Sequence, residues 1–468
     1  MIARFGRRWL PAFASTLLTV TLVQTLPASA ADDPTSPRTD VNASASRAPA
    51  GEDAADQDAV EPDNDAWWLD EPGGSNTRAI GPDEDAWWLD DAASTLASAA
   101  GSLEDSGATD VTDGLPVAPV GAGDGDEGQA VEVLLLPDRG VAPRVTSQAS
   151  DGDRVPVIIR LREQVDMAAL GEQAAATGLA AALDKRTELR GRGLSNAAEN
   201  RRVAEAGQDA RAAAVVRSLR SFAGDRRAPV AGLLEQLHAN GHARNVQRYW
   251  VFSGFSASVD SQALTRLERH PDVASVTLDG TIEAPEIEPE QGPKLPTWGL
   301  EAVHATDVWS DYDDRGEGVV VGIMDSGVDG SHPALANSWR GNTDDPAKSW
   351  YVATGEDYPT PGDGGGHGTH VMGTMVGGPP GEVIGVAPEA TWIAAKIFND
   401  FGSATTSGIH RGFQWMLAPG GDPTAAPDLV NNSWGSAATY NPEYWYDVDA
   451  WVAAGIVPIF ANGNDGPG

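Results

Sequence analysis

The chain has 468 residues, no cysteine and a formal net charge of −36 at pH 7. Without cysteine it has no disulfide framework, no thiolate metal site and no cysteine nucleophile, and a polyanion such as nucleic acid would be repelled rather than steered in. Hydrophobic residues at 41% allow two or three domains with real cores, while 53 Gly and 32 Pro imply long loops or unstructured stretches.

Arg4, Arg7 and Arg8 precede an apolar stretch from Trp9 to Leu26, followed by Ala28-Ser29-Ala30. A charged start, an apolar run and an A-x-A site read as an export signal over 1–30, cleaved after Ala30. A retained anchor is the alternative. Pro11 and Gln24 weaken it, because a spanning helix wants about 20 strongly apolar residues. The Arg7-Arg8 pair is a weak sign of twin-arginine export. No second apolar run of that length follows, so no membrane span is expected after signal cleavage.

Residues 31–150 hold 26 Asp or Glu against 5 Lys or Arg and are short of branched aliphatics, which predicts a disordered acidic leader. Within it, "PDNDAWWLD" at 62–70 returns as "PDEDAWWLD" at 82–90. Two copies are too few for a solenoid. They are either docking segments anchored by Trp67-Trp68 and Trp87-Trp88 or a duplication inside a solvated leader.

From 151 to 282 the pattern changes. "VPVIIRL" reads as a strand, 171–222 and 229–239 as helical segments, "VQRYWVF" and "FSASVD" as strands, "SQALTRLERH" as a helix and "VASVTLD" as a last strand. The order β-α-β-β-α-β predicts a ferredoxin-like α+β domain with an enlarged first helical region. "EAPEIEPEQGPKLP" then reads as an exposed linker, with 283–295 as its processing segment.

Beyond Trp298, strand and helix alternate, which predicts an α/β domain over 296–468: a mostly parallel sheet flanked by helices. Its strands are 319–324, 391–398, 428–432 and 456–460. Ile409, Phe413, Met416 and Leu417 mark one helical face, and Tyr444, Val448, Trp451 and Val452 another. Open sheets of this class bind ligands outside the carboxyl ends of their strands. Asp325 follows the first strand, and Gly327 lets the chain turn. His367 lies at the first turn of a helix whose Gly368 and Gly373 permit close packing. Asn464 follows the last strand. A carboxylate to orient an imidazole, an imidazole to take a proton and an amide to meet an oxyanion suit acyl transfer.

These segments resemble the subtilisin-like serine proteases, whose triad runs Asp, His, Ser along the chain. "GIMDSGVDGSHPAL" is similar to the family's Asp motif, "HGTHVMGTMVG" to its His motif, "SWG" to its substrate-binding strand and "ANGND" to its oxyanion Asn motif. "IGVAPEATWIAAKIF", "MLAP" and "PDLVNNSWG" point to the bacillopeptidase F-like branch. The likeness covers about 296–468, and 151–282 is similar to the family's inhibitory propeptide.

The resemblance implies that Asp325 orients and stabilises His367, that His367 is the general base, and that Asn464 donates to the oxyanion. It implies backbone pairing of an extended polypeptide substrate with Ser433, Trp434 and Gly435, with Asn399 to Ser403 as the opposite wall. The chain's own propeptide would act as an intramolecular inhibitor. No cofactor is required for such chemistry. His367 and His370 with Asp363 could be read as a metal site, but the zinc helix motif needs two histidines four apart and a Glu base. His370 is expected to be a packed structural residue instead.

Two departures stand out. Ala334 replaces an Asp that often supplies the family's structural calcium site, and "GGPPGEV" is poor in oxygen-bearing side chains, which argues against calcium there. The "GTSMA"-type nucleophile motif is absent, and Ser326 and Ser433 cannot stand in for it. The expectation is a secreted serine endopeptidase precursor whose catalytic domain is incomplete at the C-terminus. Ile456, Val457, Ile459 and Phe460 are then expected on an unpaired edge. The alternative is a non-catalytic secreted binding protein with a vestigial protease fold and Trp-repeat docking segments.

Overall fold

The computed structural model describes residues 132–136, 139–149, 153–285, 298–378, 383–435 and 442–464. The expected export signal over 1–30, the two tryptophan repeats and residues 286–297 of the expected linker lie outside them. Among the described residues no helix is long and apolar enough to cross a membrane.

The N-terminal module starts earlier than the composition predicts. Residues read as leader form β1 (Val133–Leu135), β2 (Gly140–Val141) and α1 (Pro143–Gln148). Val133 and Val145 are buried, and these short apolar runs were hidden by the acidic composition around them. β3 (Val155–Leu161) follows, then β4 (Glu163–Val165), which pairs antiparallel with β1.

Two helices come next, α2 (Met167–Leu189) and α3 (Asn196–Ala239), then β5 (Ala243–Tyr249), β6 (Gly254–Val259), α4 (Ser261–Glu268), β7 (Val273–Leu278) and β8 (Thr281–Glu283). The sheet order is β2-β7-β3-β6-β5, with β3, β5, β6 and β7 mutually antiparallel where they pair. The ferredoxin-like pattern is present, with β2 added at one edge.

The enlarged helical region is a hairpin that turns at Gly191 and Gly193, both at positive φ. α3 runs 44 residues straight through Pro229, where the sequence pattern implied a break. A proline inside a helix costs about 3 kcal/mol. Here Val230, Leu234 and Leu237 are buried against the sheet just beyond it, and that burial holds the helix together.

The C-terminal module begins with α5 (Trp298–Ala302) and α6 (Ala305–Tyr312), followed by β9 (Val320–Asp325), β10 (Trp350–Val352), α7 (His367–Val376), β11 (Thr391–Lys396) and β12 (Ser403–Thr405). α8 (Thr406–Leu417), β13 (Leu429–Asn432), α9 (Trp445–Ala454) and β14 (Val457–Phe460) complete it. Five strands form one sheet in the order β10-β11-β9-β13-β14, every pair parallel.

Alternate residues serve opposite faces, as strand geometry requires. Ile323, Trp392 and Ala394 pack with Met372 and Val376 of α7, while Met324, Ile393 and Ala395 pack towards α8 and α9. β14 is an edge strand whose Val457, Ile459 and Phe460 are 43–50% exposed. Ile456, expected beside them, precedes the strand and is buried with Trp451.

Candidate active site

β9 delivers Asp325 to the carboxyl edge of the sheet, where its side chain is 1% exposed. Its carbonyl accepts the N–H groups of Ile397 and Phe398, at 2.8 and 3.3 Å, so neighbouring β11 clamps the turn that follows. Gly327 sits in that turn at φ 113°. A side chain there would also run into the Gly362 carbonyl, so glycine is required twice over.

α7 begins at His367, behind Gly366 at φ 81° with no side-chain cap from that position. Asp363 supplies what the cap lacks. Its Oδ1 accepts from Gly365 N, Gly366 N and Ser326 Oγ, at 3.1, 2.8 and 2.9 Å. Its Oδ2 accepts from Thr369 N and Thr369 Oγ1, at 2.9 and 2.6 Å. Orphan donors of the first helical turn are thereby satisfied. Ser326 Oγ also accepts from Gly368 N at 3.0 Å.

Helix and strand approach closely because a Cβ on Gly368 would collide with the Gly327 carbonyl, whereas one on Gly373 would meet nothing. Of the two glycines expected to permit packing, only Gly368 is needed.

The result is a 2.7 Å hydrogen bond between His367 Nδ1 and Asp325 Oδ1. Asp325 pushes the His367 imidazole above its ordinary pKa, against an opposing effect of burial and with help from Asp363. His367 Nε2 has no hydrogen-bond partner among the described residues. His370 is exposed rather than packed. The buried face of α7 is Gly368, Met372 and Val376, and a residue two positions from Gly368 points some 200° away from it.

The other expected site residues lie at the same edge, because β9, β13 and β14 are parallel. Ser433, Trp434 and Gly435 follow β13 directly. The Trp434 ring is buried among Phe398, Phe413, Tyr444 and Phe460, so its side chain is not offered to a ligand. Asn464 follows β14, is exposed, and makes no hydrogen bond to a described residue.

The opposite wall is occupied. β8 pairs antiparallel with β12, matching Thr281, Ile282 and Glu283 to Thr405, Ala404 and Ser403. Ala284 N also donates to Gly402 O at 2.6 Å.

Sequence reasoning missed Lys396. Its side chain is fully buried at the end of β11, and Nζ donates to Ser326 O at 2.8 Å and to Asp400 Oδ1 at 2.9 Å. It ties the turn after Asp325 to the loop leading into β12. The available signal was a lone lysine inside the apolar run "TWIAAKIF". Among the described residues no group of three or more His, Asp or Glu could hold a metal ion, and Ala334 is buried.

The fold thus sets a ferredoxin-like module, whose last strand lies along one wall of a parallel sheet's carboxyl edge, beside an Asp–His pair at that edge. Residues 316–468 match the family described as the subtilase family, and residues 194–285 match the peptidase inhibitor I9 family. The first segment is thus a subtilase segment and the second an I9 segment.

Bacillopeptidase F of Bacillus subtilis (strain 168) is 34% identical over 275 residues, 54% of this chain and 19% of that protein. Minor extracellular protease Vpr of the same organism is 30% identical over 239 residues, 46% of this chain and 27% of that protein. The matched part of the chain therefore spans well under a third of either relative. Among solved structures, the epidermin leader peptide processing serine protease from Staphylococcus aureus aligns over 50% of this chain and 58% of that one. The TM-score is 0.38 at 18% identity.

Proposed function

We propose that the chain belongs to a secreted serine endopeptidase precursor, in which residues up to about 285 form an inhibitory propeptide and residues from 298 carry part of the catalytic domain. The observation that carries this reading is the Asp325–His367 bond with His367 Nε2 left unengaged. Extracellular relatives support export, and the motif order supports the chemistry.

In this reading His367 Nε2 removes the proton from a serine hydroxyl as its oxygen attacks the peptide carbonyl. Asp325 holds the tautomer and stabilises the imidazolium without taking the proton itself. Asn464 donates to the oxyanion, a contribution worth about a hundredfold or more in kcat. His367 then returns the proton to the leaving amine.

The attacking serine is not one of the hydroxyls described near the pair. Ser326 Oγ donates to Asp363, and Ser433 Oγ accepts from Asn431 Nδ2 at 2.9 Å. Polypeptide substrates would pair with β12 on one side and Ser433 to Gly435 on the other, giving affinity through main-chain hydrogen bonds. β8 already uses one of those edges, as a product-like strand would. No cofactor enters the chemistry, and nothing in the donor set supports a calcium ion at Ala334.

Chain 1–468 treated with casein and a fluorophosphonate probe is expected to show neither turnover nor label. Label that persists in His367→Ala but vanishes on changing a serine within 1–468 would overturn the assignment. In the complete enzyme, N-terminal sequencing should find a self-made cut within 283–297 that His367→Ala abolishes. Equal processing in both would assign the cut to another protease.

A further inference from the structure

The length of α3 exceeds what its own sheet needs. Val230, Leu234 and Leu237, in its last turns, are buried against β3 and β6. Ala212, Val215, Val216, Leu219 and Phe222 are instead buried in one cluster with Trp451, Ala453, Ala454 and Ile456 of the C-terminal module. Half the helix therefore serves a different core. Its partner α2 does the same: a Cβ on Gly171 would lie 3.4 Å from Ala453 Cα.

The polar contacts converge on one end of α9. Arg211 Nη2 donates to Val452 O and Nε to Ala453 O, both at 2.8 Å, and Gln208 Nε2 donates to Ala454 O at 3.2 Å. The last four carbonyls of a helix lack intrahelical partners, and the end they form carries partial negative charge that favours a cation. The guanidinium fork suits two adjacent carbonyls in a way a lysine cannot. Contacts outside this cap, from Arg201 to Glu317 at 3.1 Å and from Arg220 to Gly421 O at 3.2 Å, extend the same surface.

We propose that the α2–α3 hairpin is a docking surface of the N-terminal module separate from both β8 and the Arg160–Glu443 contact, built to recognise the C-terminal end of α9, and that it helps to keep the modules together after the connecting segment is cut. Its meaning as a brake on activation rests on the propeptide reading above; its physical content does not.

The surface also carries like charges. Glu205 and Asp209 of α3 face Asp422 and Asp428, while Lys348 pairs with Asp422 and Arg340 faces both of these aspartates. Burial first, then these neighbours, pushes Asp209 up to about 6. A carboxyl raised on docking favours the docked state most when protonated, so that advantage fades as pH climbs from about 4 through 6. The hairpin's hold should therefore be tighter at pH 5 than at pH 7.5.

The test places a recognition sequence for a site-specific protease within 286–297 of the full chain, cuts it, and follows dissociation of the two pieces by size-exclusion chromatography and native mass spectrometry. Unchanged pieces should co-elute. Ile282→Asp, which disrupts the β8 contact, should leave them associated, and adding Arg211→Ala should separate them at least tenfold faster. If Ile282→Asp alone separates them fully, or Arg211→Ala changes nothing in either background, the proposal fails. Hydrogen exchange across β3, β6 and β7 checks folding. Should Arg211→Ala not fold, Gly171→Leu reads the same contact with the same two outcomes. Association needs no enzymatic turnover, so a catalytically dead complete protein would sink the protease reading and leave this result standing.

Discussion

The C-terminal module holds two His–Asp pairs, one half-buried and one fully buried, that a distance cannot tell apart. His367 Nδ1 lies 2.7 Å from Asp325, and His410 Nδ1 lies 2.9 Å from Asp447. Their second nitrogens differ. His367 Nε2 is unengaged among the described residues, whereas His410 Nε2 meets Glu443 Oε1 at 3.2 Å, and Glu443 is held in turn by Arg160 of β3 at 2.7 Å. The His410 ring is closed in by Phe252, Tyr249 and Tyr444. A histidine whose nitrogens are both committed is a strut. One with a spare nitrogen can move a proton.

Burial opposes the charged form of both, but it is the largest single effect only at His410. At His410 it would lower the pKa, but Asp447 and then Glu443 outweigh it and hold the ring above its ordinary value. Burial would raise Glu443 as well, yet Arg160 and His410 bring it down to about 2. This four-residue chain is a charge network between the two modules. Truncating one member leaves the others buried and uncompensated, at a cost of about 3–5 kcal/mol. His410→Ala should therefore lower stability by that amount in urea unfolding, and His367→Ala by far less. Equal costs would erase the distinction.

Lys396→Met should have an intermediate effect. It removes the donor to Ser326 O, a backbone group beside the Asp325–His367 pair, while Asp400 at 41% exposure can turn to water. One unsatisfied buried acceptor costs about 1–3 kcal/mol. A loss as large as that of His410→Ala would mean that the turn after Asp325 is as central to the fold as the interface network.

The third test reads a shift in titration. His367 should titrate above ordinary imidazole by NMR, because Asp325 raises it, and Asp325→Asn should bring it back down. The sign follows from linkage: the stability of the charged pair is fully present below the unfolded histidine's pKa and is lost as pH rises through the folded one. The neutral, proton-accepting form grows over that same upper range, so under the proposed function peptidase activity should climb there. A midpoint at or below that of the unfolded chain would contradict the pairing.

The Asp325–His367 contact was legible because each residue sits at a strand or helix end with a glycine or polar residue beside it, where local chemistry and topology agree. Asp325 and His367 meet, as the resemblance implied. His410 was not legible. It lies within the apolar face of α8, between Ile409 and Phe413, where periodicity sees only a buried helix, and its partners are 33 and 37 residues away. Pro229 misled for the opposite reason, since local propensity marks a break that tertiary burial overrides. The leader boundary slipped because composition averages over windows longer than β1 or β2.

The smallest effect is expected at a further pair. His304 Nδ1 lies 2.8 Å from Asp307 Oδ2, a geometry matching the other two pairs, but the side chains are 76% and 65% exposed. Water competes for both groups, salt screens them, and holding two mobile side chains in one arrangement offsets what attraction remains. Asp307 also lies in the first turn of α6, where it interacts favourably with the helix N-terminus whether or not the histidine is present. His304 takes the left-handed backbone conformation at φ 59°, so the substitution must respect that geometry. His304→Asn tolerates positive φ better than alanine would. That change should leave the melting temperature unaltered within error at 0.15 M and at 1 M salt. A clear loss at low salt that disappears at high salt would show that the exposed pair contributes after all, and that burial separates these histidines less sharply than their surroundings imply.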